Sequence, residues 1–269
     1  MTTHTARRPV ALVTGASAGI GLAMAELLVA RQHDVVLVAR RKERLENAAA
    51  QLRQRGARAE VIVADLADPA APRRIVDESL ARCGRIDVLV NNAGYGLSSR
   101  FSELPWSEHA AFLQLMLTST VDLTHAVLPP MRERRFGRII NMASLAAFVP
   151  EPAGMLYSAT KRFMVSFTRA LHLDLEGTGV TATAVCPGFT YSEFHDVMGN
   201  RAHMNTLPKW LWMDSATVAR LGLDAAERGT AVIIPGAVNK LVAALCWALP
   251  RSALGLLAPR GLMDRYDKA

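Results

Sequence analysis

The sequence predicts an α/β fold: a doubly wound parallel sheet with helices on both faces, in a single domain. Three observations carry this. Short runs rich in Val, Ile and Leu recur along the chain, and stretches of helical period alternate with them. The runs are apolar almost throughout, the pattern of strands buried on both faces. A chain of 269 residues that is 51% hydrophobic and 20% charged can bury a sizeable core.

The elements follow in order. VALVTG (10–15) is a strand, and GLAMAELLVARQ (21–32), apolar at i, i+3 and i+4, is the helix that leaves it. VVLVAR (35–40) is the second strand, followed by the helix RKERLENAAAQLRQRG. EVIVADL (60–66) is the third, followed by RRIVDESLARCG, and IDVLVNNAG (86–94) is the fourth. A helix around 108–128, the strand GRIINMAS (137–144), a helix over 155–176, and the strands VTATAVCPG (180–188) and AVIIPG (231–236) complete the series. Right-handed crossovers between such strands give the doubly wound arrangement. Residues 189–230 interrupt the alternation after a strand end, where insertions commonly build a ligand cleft, so they are expected to form a substrate lid. Residues 238–269 are expected to add a helical extension. There is no internal repeat, low-complexity segment or Gly/Ser linker, so residues 1–269 read as one domain.

Several function classes are disfavoured. Cys83, Cys186 and Cys246 stand far apart, without CxxC or Cys/His spacing, which suggests reduced thiols in a cytoplasmic protein. The seven histidines have no metal-ligand spacing, and His172 reads as packing or surface. No apolar h-region opens the chain, and no uncharged run of about 18 apolar residues occurs. LVAALCWALP (241–250) is too short to cross a membrane and reads as a core helix or one that touches a membrane surface. The net charge is +7, with basic clusters at Arg40–Lys42 and at Arg132, Arg134, Arg135 and Arg138. No nucleic-acid-binding motif accompanies them, so they read as solvated surface, part of which can meet the phosphates of a small cofactor.

Thr14-Gly15-Ala16-Ser17-Ala18-Gly19-Ile20-Gly21 lies between a strand and a helix. Glycines at this spacing allow a tight turn, close backbone approach and tight helix–strand packing, and free N–H groups at the helix start favour a pyrophosphate. A glycine-rich turn without a ligand is the alternative. In NAD-binding sheets an acidic residue ends the second strand and holds the ribose 2′-hydroxyl. Here the strand ends in Ala39, Arg40 and Arg41. Guanidinium groups bind a 2′-phosphate and a carboxylate would repel it, so NADP(H) is favoured, unless both arginines are simply exposed.

Tyr157-Ser158-Ala159-Thr160-Lys161 puts a tyrosine and a lysine on one helical face. A nearby ammonium is expected to lower the tyrosine pKa. Such a phenol can pass a proton to a carbonyl oxygen as hydride reaches the carbon. Ser144, at the end of its strand, can hydrogen-bond the same oxygen.

Together these residues resemble the short-chain dehydrogenase/reductase family, a set of NAD(P)-dependent enzymes on a Rossmann-type sheet. The resemblance covers about residues 8–190: TGASAGIG, Asp65, Asn91-Asn92-Ala93-Gly94, Ser144, YSATK and Pro187-Gly188-Phe189-Thr190. It implies that Ser144, Tyr157 and Lys161 are catalytic. It implies that Asp65, with Leu66 beside it, meets the adenine, and that Asn92, Ala93 and Gly94 line the cofactor. Lys161 would also hold the nicotinamide ribose, and Thr190 would contact the nicotinamide amide, with Pro187 and Gly188 beside it. Residues 209–241 are similar to bacterial ketoacyl reductases, and to mycobacterial reductases of 3-oxo precursors of mycolic-type fatty acids. The expected reaction is therefore NADPH-dependent reduction of a 3-oxoacyl or other lipophilic ketone, by a homo-oligomer built through the helices around 108–128 and 155–176.

Two segments are less settled by the sequence. Residues 189–214 carry Phe189, Phe194, Met198, Met204, Leu207, Trp210, Leu211, Trp212 and Met213, which suits either an apolar lid over substrate or plain packing onto the sheet. In FLQLMLTST (112–120), the family's relay asparagine falls on Met116. A thioether is a weak acceptor and no donor, so an NADP(H)-binding protein with weakened proton relay is the alternative function.

Overall fold

The computed structural model describes residues 8–97, 101–149, 155–198 and 206–248. Met204 and the part of the expected C-terminal extension beyond residue 248 lie outside them. The chain forms β1 (Val10–Thr14), α1 (Gly19–Ala30), β2 (Asp34–Ala39), α2 (Lys42–Gln54), β3 (Ala59–Val63), α3 (Ala71–Cys83) and β4 (Val88–Asn91). Next come α4 (Trp106–Leu113), a π-helical turn (Gln114–Thr118), α5 (Ser119–Glu133), β5 (Gly137–Met142), α6 (Met155–Asp174) and β6 (Val180–Val185). The last elements are β7 (Thr190–Tyr191), α7 (Phe194–Val197), β8 (Met213–Asp214), α8 (Ser215–Glu227), β9 (Val232–Ile233) and α9 (Ala237–Ala248).

Seven strands pair in the order β3-β2-β1-β4-β5-β6-β9, and every pairing is parallel. Successive side chains of a strand point to opposite faces. Ala11 and Val13 therefore pack with Met24, Leu28, Leu45 and Leu223 of α1, α2 and α8. Val10 and Leu12 pack with Ile75, Phe112, Leu123 and Met131 of α3, α4 and α5. This is why the strands read as unbroken apolar runs. The order reverses between β1 and β4, and such a switch point opens a crevice at the carboxyl ends of the strands.

Three boundaries differ from the sequence expectation. Of residues 189–230, Ser215–Glu227 is a sheet-covering helix, α8, with Val218, Ala219, Leu223 and Ala226 buried in the core. The segment that lies over the crevice therefore ends before α8. The strand expected over 137–144 stops at Met142, and Ser144 instead caps a 3₁₀ turn, its Oγ accepting from the Ala146 N–H at 3.1 Å. The helix expected around 108–128 runs over Trp106–Glu133, with the π turn inside it. By length and composition this stretch could cross a membrane, but Phe112, Leu123, Val127 and Met131 bury one face of it in the core.

Candidate active site

A cleft of about 590 Å³ follows the carboxyl ends of the strands. Gly15, Ser17, Gly19, Ile20, Arg40, Arg41, Asp65, Leu66, Asn92, Ala93, Gly94, Ser144, Tyr157, Lys161, Pro187, Gly188 and Thr190 all line it. Among the expected site residues only Gly21 does not. A Cβ there would fall 2.4 Å from both Asn92 Nδ2 and the Gly15 carbonyl oxygen, so this glycine serves close packing beneath the loop.

The floor is held by two side chains that bind main-chain groups. Thr14 Oγ1 donates to the Val90 carbonyl at 3.1 Å and accepts the N–H groups of Asn92 and Ala93 at 2.9 and 3.1 Å. Asn92 Nδ2 donates to the carbonyls of Thr14 and Gly15, at 3.0 and 3.3 Å. The ends of β1 and β4 are thereby locked, and the Asn92 amide is spent on the glycine loop. Gly15 stands at φ +66°, where a side chain would be strained and would meet Asn92. The first turn of α1 has no side-chain cap, so its free N–H groups face the cleft, which suits an anion.

At the β2 end the two arginines diverge. Arg40 turns to Asp65, Nη1 to Oδ2 3.5 Å, at the adenine side expected for that acid. Arg41 Nη2 donates to Ser17 Oγ at 2.9 Å, and its Nη1 donates to Glu193 Oε2 at 2.8 Å. Arg44, in the first turn of α2, holds the other oxygen of Glu193. The two guanidinium groups keep the Glu193 carboxyl below its usual pKa. A basic seat of two arginines and a serine fits a phosphate, and its present occupant is an acid. Arg44 and Glu193 were not among the expected site residues. The i+3 spacing from Arg41 was the only available signal for Arg44, and none existed for Glu193, which lies far along the chain.

At the other end stand Ser144, Tyr157 and Lys161. Tyr157 is hydrogen-bonded to Ser144, and burial, only partly offset by that bond, pushes its phenol up to about 12. This corrects the expectation of a lowered value: Lys161 Nζ lies 5.5 Å from the ring centroid, and burial of the phenol sets the direction. The buried Lys161 donates to the Met142 carbonyl at 2.7 Å, and desolvation lowers its pKa to about 8. The Thr190 hydroxyl donates to the Gly188 carbonyl at 3.1 Å. Gly188 in turn lies against Asn239 of α9, whose amide donates to the Pro235 carbonyl at 2.7 Å, an anchoring residue the sequence did not mark.

Met116 stands beside this group. A Cβ on Gly94 would lie 3.0 Å from Met116 Sδ and 3.9 Å from Lys161 Nζ. The π turn, closed by the Ser119 N–H on the Gln114 carbonyl, carries this methionine. Such turns insert a residue into a helix and recur at functional sites. The apolar residues after β6 fall into two groups. Phe189 and Tyr191 pack on Trp212, with ring centroids 5.6 and 4.9 Å away. Phe194 lies over Tyr157 at 5.6 Å, and Met198 reaches Gly96. Phe189, Tyr191 and Trp212 thus pack on one another, whereas Phe194 faces the reacting end.

The family model for short chain dehydrogenases matches residues 9–201. A protein of Streptomyces virginiae, named as a ketoacyl reductase of the monensin polyketide synthase, is 44% identical over 194 residues, covering 70% of this chain and 72% of that one. A short-chain dehydrogenase of Sphingobium yanoikuyae, solved with NADPH, superposes with TM-score 0.80 at 35% identity, over 93% of this chain and 95% of that one. The bulky-bulky ketone specific alcohol dehydrogenase of Comamonas testosteroni superposes with TM-score 0.76 at 31% identity, over 94% and 95%. With its glycine loop, seven-stranded parallel sheet and Ser144–Tyr157–Lys161 cluster, the chain belongs to the short-chain dehydrogenase family.

Proposed function

We propose that this protein is an NADPH-dependent reductase of a lipophilic carbonyl, with a 3-oxoacyl compound as the favoured substrate class. The observation that carries the reading is one cleft with a basic seat at Ser17, Arg41 and Arg44 and a Ser–Tyr–Lys cluster at its other end. When bound, NADPH supplies a hydride to the carbonyl carbon. The chain's own residues handle the proton and the geometry. Ser144 Oγ orients the carbonyl oxygen. Tyr157 Oη donates its proton to that oxygen. A phenol with a pKa near 12 is fully protonated at neutral pH, the form that reduction requires. Lys161, lowered to about 8 by burial, lies beside the ring, where it can restore charge balance after the proton leaves. Phe194, Leu115 and Val149 give this end of the cleft an apolar lining, which agrees with a ketoacyl or bulky-ketone substrate.

The test is NADPH oxidation by the purified protein across 3-oxoacyl thioesters and ketones of increasing chain length. Turnover that rises with chain length is expected. Binding of NADPH without reduction of any of these compounds would overturn the reading. It would favour the second one, a coenzyme-binding protein with a weakened proton relay, for which buried Met116 beside Lys161 is the observation.

The same reading places the reaction in the cytoplasm and assigns 189–214 as the lid of a single domain. It pairs copies of the chain through α5 and α6, where Phe163 and Leu173 are exposed. Sedimentation at equilibrium tests the pairing. Leu241 and Leu245 of α9 are also exposed and suit peripheral contact with a membrane, which flotation with anionic vesicles tests.

A further inference from the structure

The seat for a 2′-phosphate is bridged by the protein itself. Glu193 reaches it from the loop after β7, crossing the cleft from the lid side to Arg41 and Arg44 on the β2–α2 side. Arg40 pairs with Asp65, whereas Arg41, which donates to Ser17, is held by Glu193 together with Arg44. A carboxylate left in this place would repel a phosphate strongly, because both would compete for the same N–H donors. The two anions are not equal. A phosphate monoester carries nearly two negative charges near neutral pH and three acceptor oxygens, so it outcompetes a carboxylate for a guanidinium pair.

Glu193 is also mechanically tied to the reacting end. Its neighbour Ser192 sits on the glycine loop, with Cβ 3.0 Å from where a Gly19 Cβ would stand. Ser192 Oγ accepts the Phe194 N–H at 3.3 Å, and the Glu193 carbonyl accepts the Asp196 N–H at 3.0 Å, so residues 192–196 form one small unit. The Phe194 ring of that unit lies over Tyr157. Displacing Glu193 therefore moves the ring that covers the proton donor.

We propose that Glu193 is a specificity-determining latch: it occupies the 2′-phosphate seat formed by Arg41, Arg44 and Ser17, and only a coenzyme bearing that phosphate releases the lid from Tyr157. The latch rests on the NADPH reading above and adds Arg44 as a phosphate ligand. It makes discrimination against NADH twofold in origin. NADH lacks the group that binds the arginines, and it leaves the lid held down.

Adenosine 2′,5′-bisphosphate and 5′-ADP, used as probes, separate the latch from the reading it rests on. Binding is measured by calorimetry, and lid movement by hydrogen–deuterium exchange over residues 189–198. In the wild-type protein the bisphosphate is expected to increase exchange in this segment, and 5′-ADP to leave it unchanged. Glu193→Gln is expected to tighten the bisphosphate about three- to fivefold and to leave 5′-ADP unaffected, the scale of a partly exposed ion pair. Glu193→Asp keeps the charge and is expected to stay within about twofold of wild type. Arg44→Gln is expected to weaken the bisphosphate alone. Weaker or unchanged bisphosphate binding in Glu193→Gln, or unchanged lid exchange, would overturn the latch while leaving the coenzyme reading intact. Failure of both nucleotides to bind would remove that reading, and the latch with it.

Discussion

At the glycine-loop end of the cleft, two side chains tie main-chain groups together: Thr14 Oγ1 holds Val90, Asn92 and Ala93, and Asn92 Nδ2 holds Thr14 and Gly15. At the Tyr157 end the lining includes apolar side chains, among them Phe194 after β7, Val149, and Leu115 of the π turn. The first end presents fixed dipoles to a ligand whose phosphates do not vary. The second can change its lining without disturbing the sheet, because a side chain can be exchanged where a hydrogen-bonded backbone cannot. Relatives that share the first end can therefore act on different carbonyl compounds at the second. Glu193 joins the two ends, which would let the constant end control the variable one.

The largest expected break is at the reacting end. Tyr157→Phe removes the proton donor and should lower turnover by about 10²–10⁴-fold, with NADPH affinity within about twofold of wild type. Steady-state rates beside a binding titration check this. A parallel loss of coenzyme binding would show that the two ends are not separable.

Lys161→Met probes the cost of a buried charge at the same end. The folded lysine releases its proton near pH 8, against an ordinary 10.5. Between these values the unfolded chain binds more protons than the native one, so native stability rises with pH across this window, and the cost is complete below pH 8. The variant should lose turnover yet gain up to about 3 kcal/mol of stability below pH 8. That gain should disappear as pH approaches 10.5. Denaturant melts at several pH values measure it.

Gly21→Ala attacks the other end. The added methyl meets Asn92 and the Gly15 carbonyl, so a loss of about 1–3 kcal/mol and weaker binding of both NADPH and NADH are expected. A selective effect on NADPH would be the wrong outcome, since Gly21 lies away from the arginines. Thermal melts and coenzyme titrations decide it.

The smallest effect belongs to Met116→Asn. It restores an amide beside Lys161 and should raise turnover by a few-fold, about 3–10, with NADPH affinity unchanged, because a proton relay is only part of the acid–base contribution. An unchanged rate would mean that the relay runs through another group, and that the difference between the two ends does not lie in this helix.

Much of the molecule was legible before the structure. Apolar runs such as VALVT and DVVLVA had to be central strands, because both faces of each are covered. Most of the cleft residues were legible because they lie just beyond strand ends, and Tyr157 and Lys161 because their spacing sets them on one face of α6. The position of Met116 was legible in the same way, by counting along one helix. Local spacing carries such information because neighbouring residues in an element hold fixed relative geometry.

What the tertiary structure alone decided involves residues distant in sequence, or a balance of opposing terms. Glu193 meets Arg41 and Arg44 across more than half the chain, and Asn239 meets Gly188 from the last described helix, pairings that no local pattern encodes. Asn92 lines the cleft, and its amide is turned to the glycine loop, a pairing between distant strands. Residues 215–227 looked like lid and are core, because α8 found a face of the sheet left open beside α1. The Tyr157 pKa depended on burial against the Ser144 hydrogen bond, and only the packed site set the depth of that burial. Sequence determined which groups are present and at which strand end each one stands. Folding decided which of them meet, because contact and desolvation are properties of three-dimensional distance.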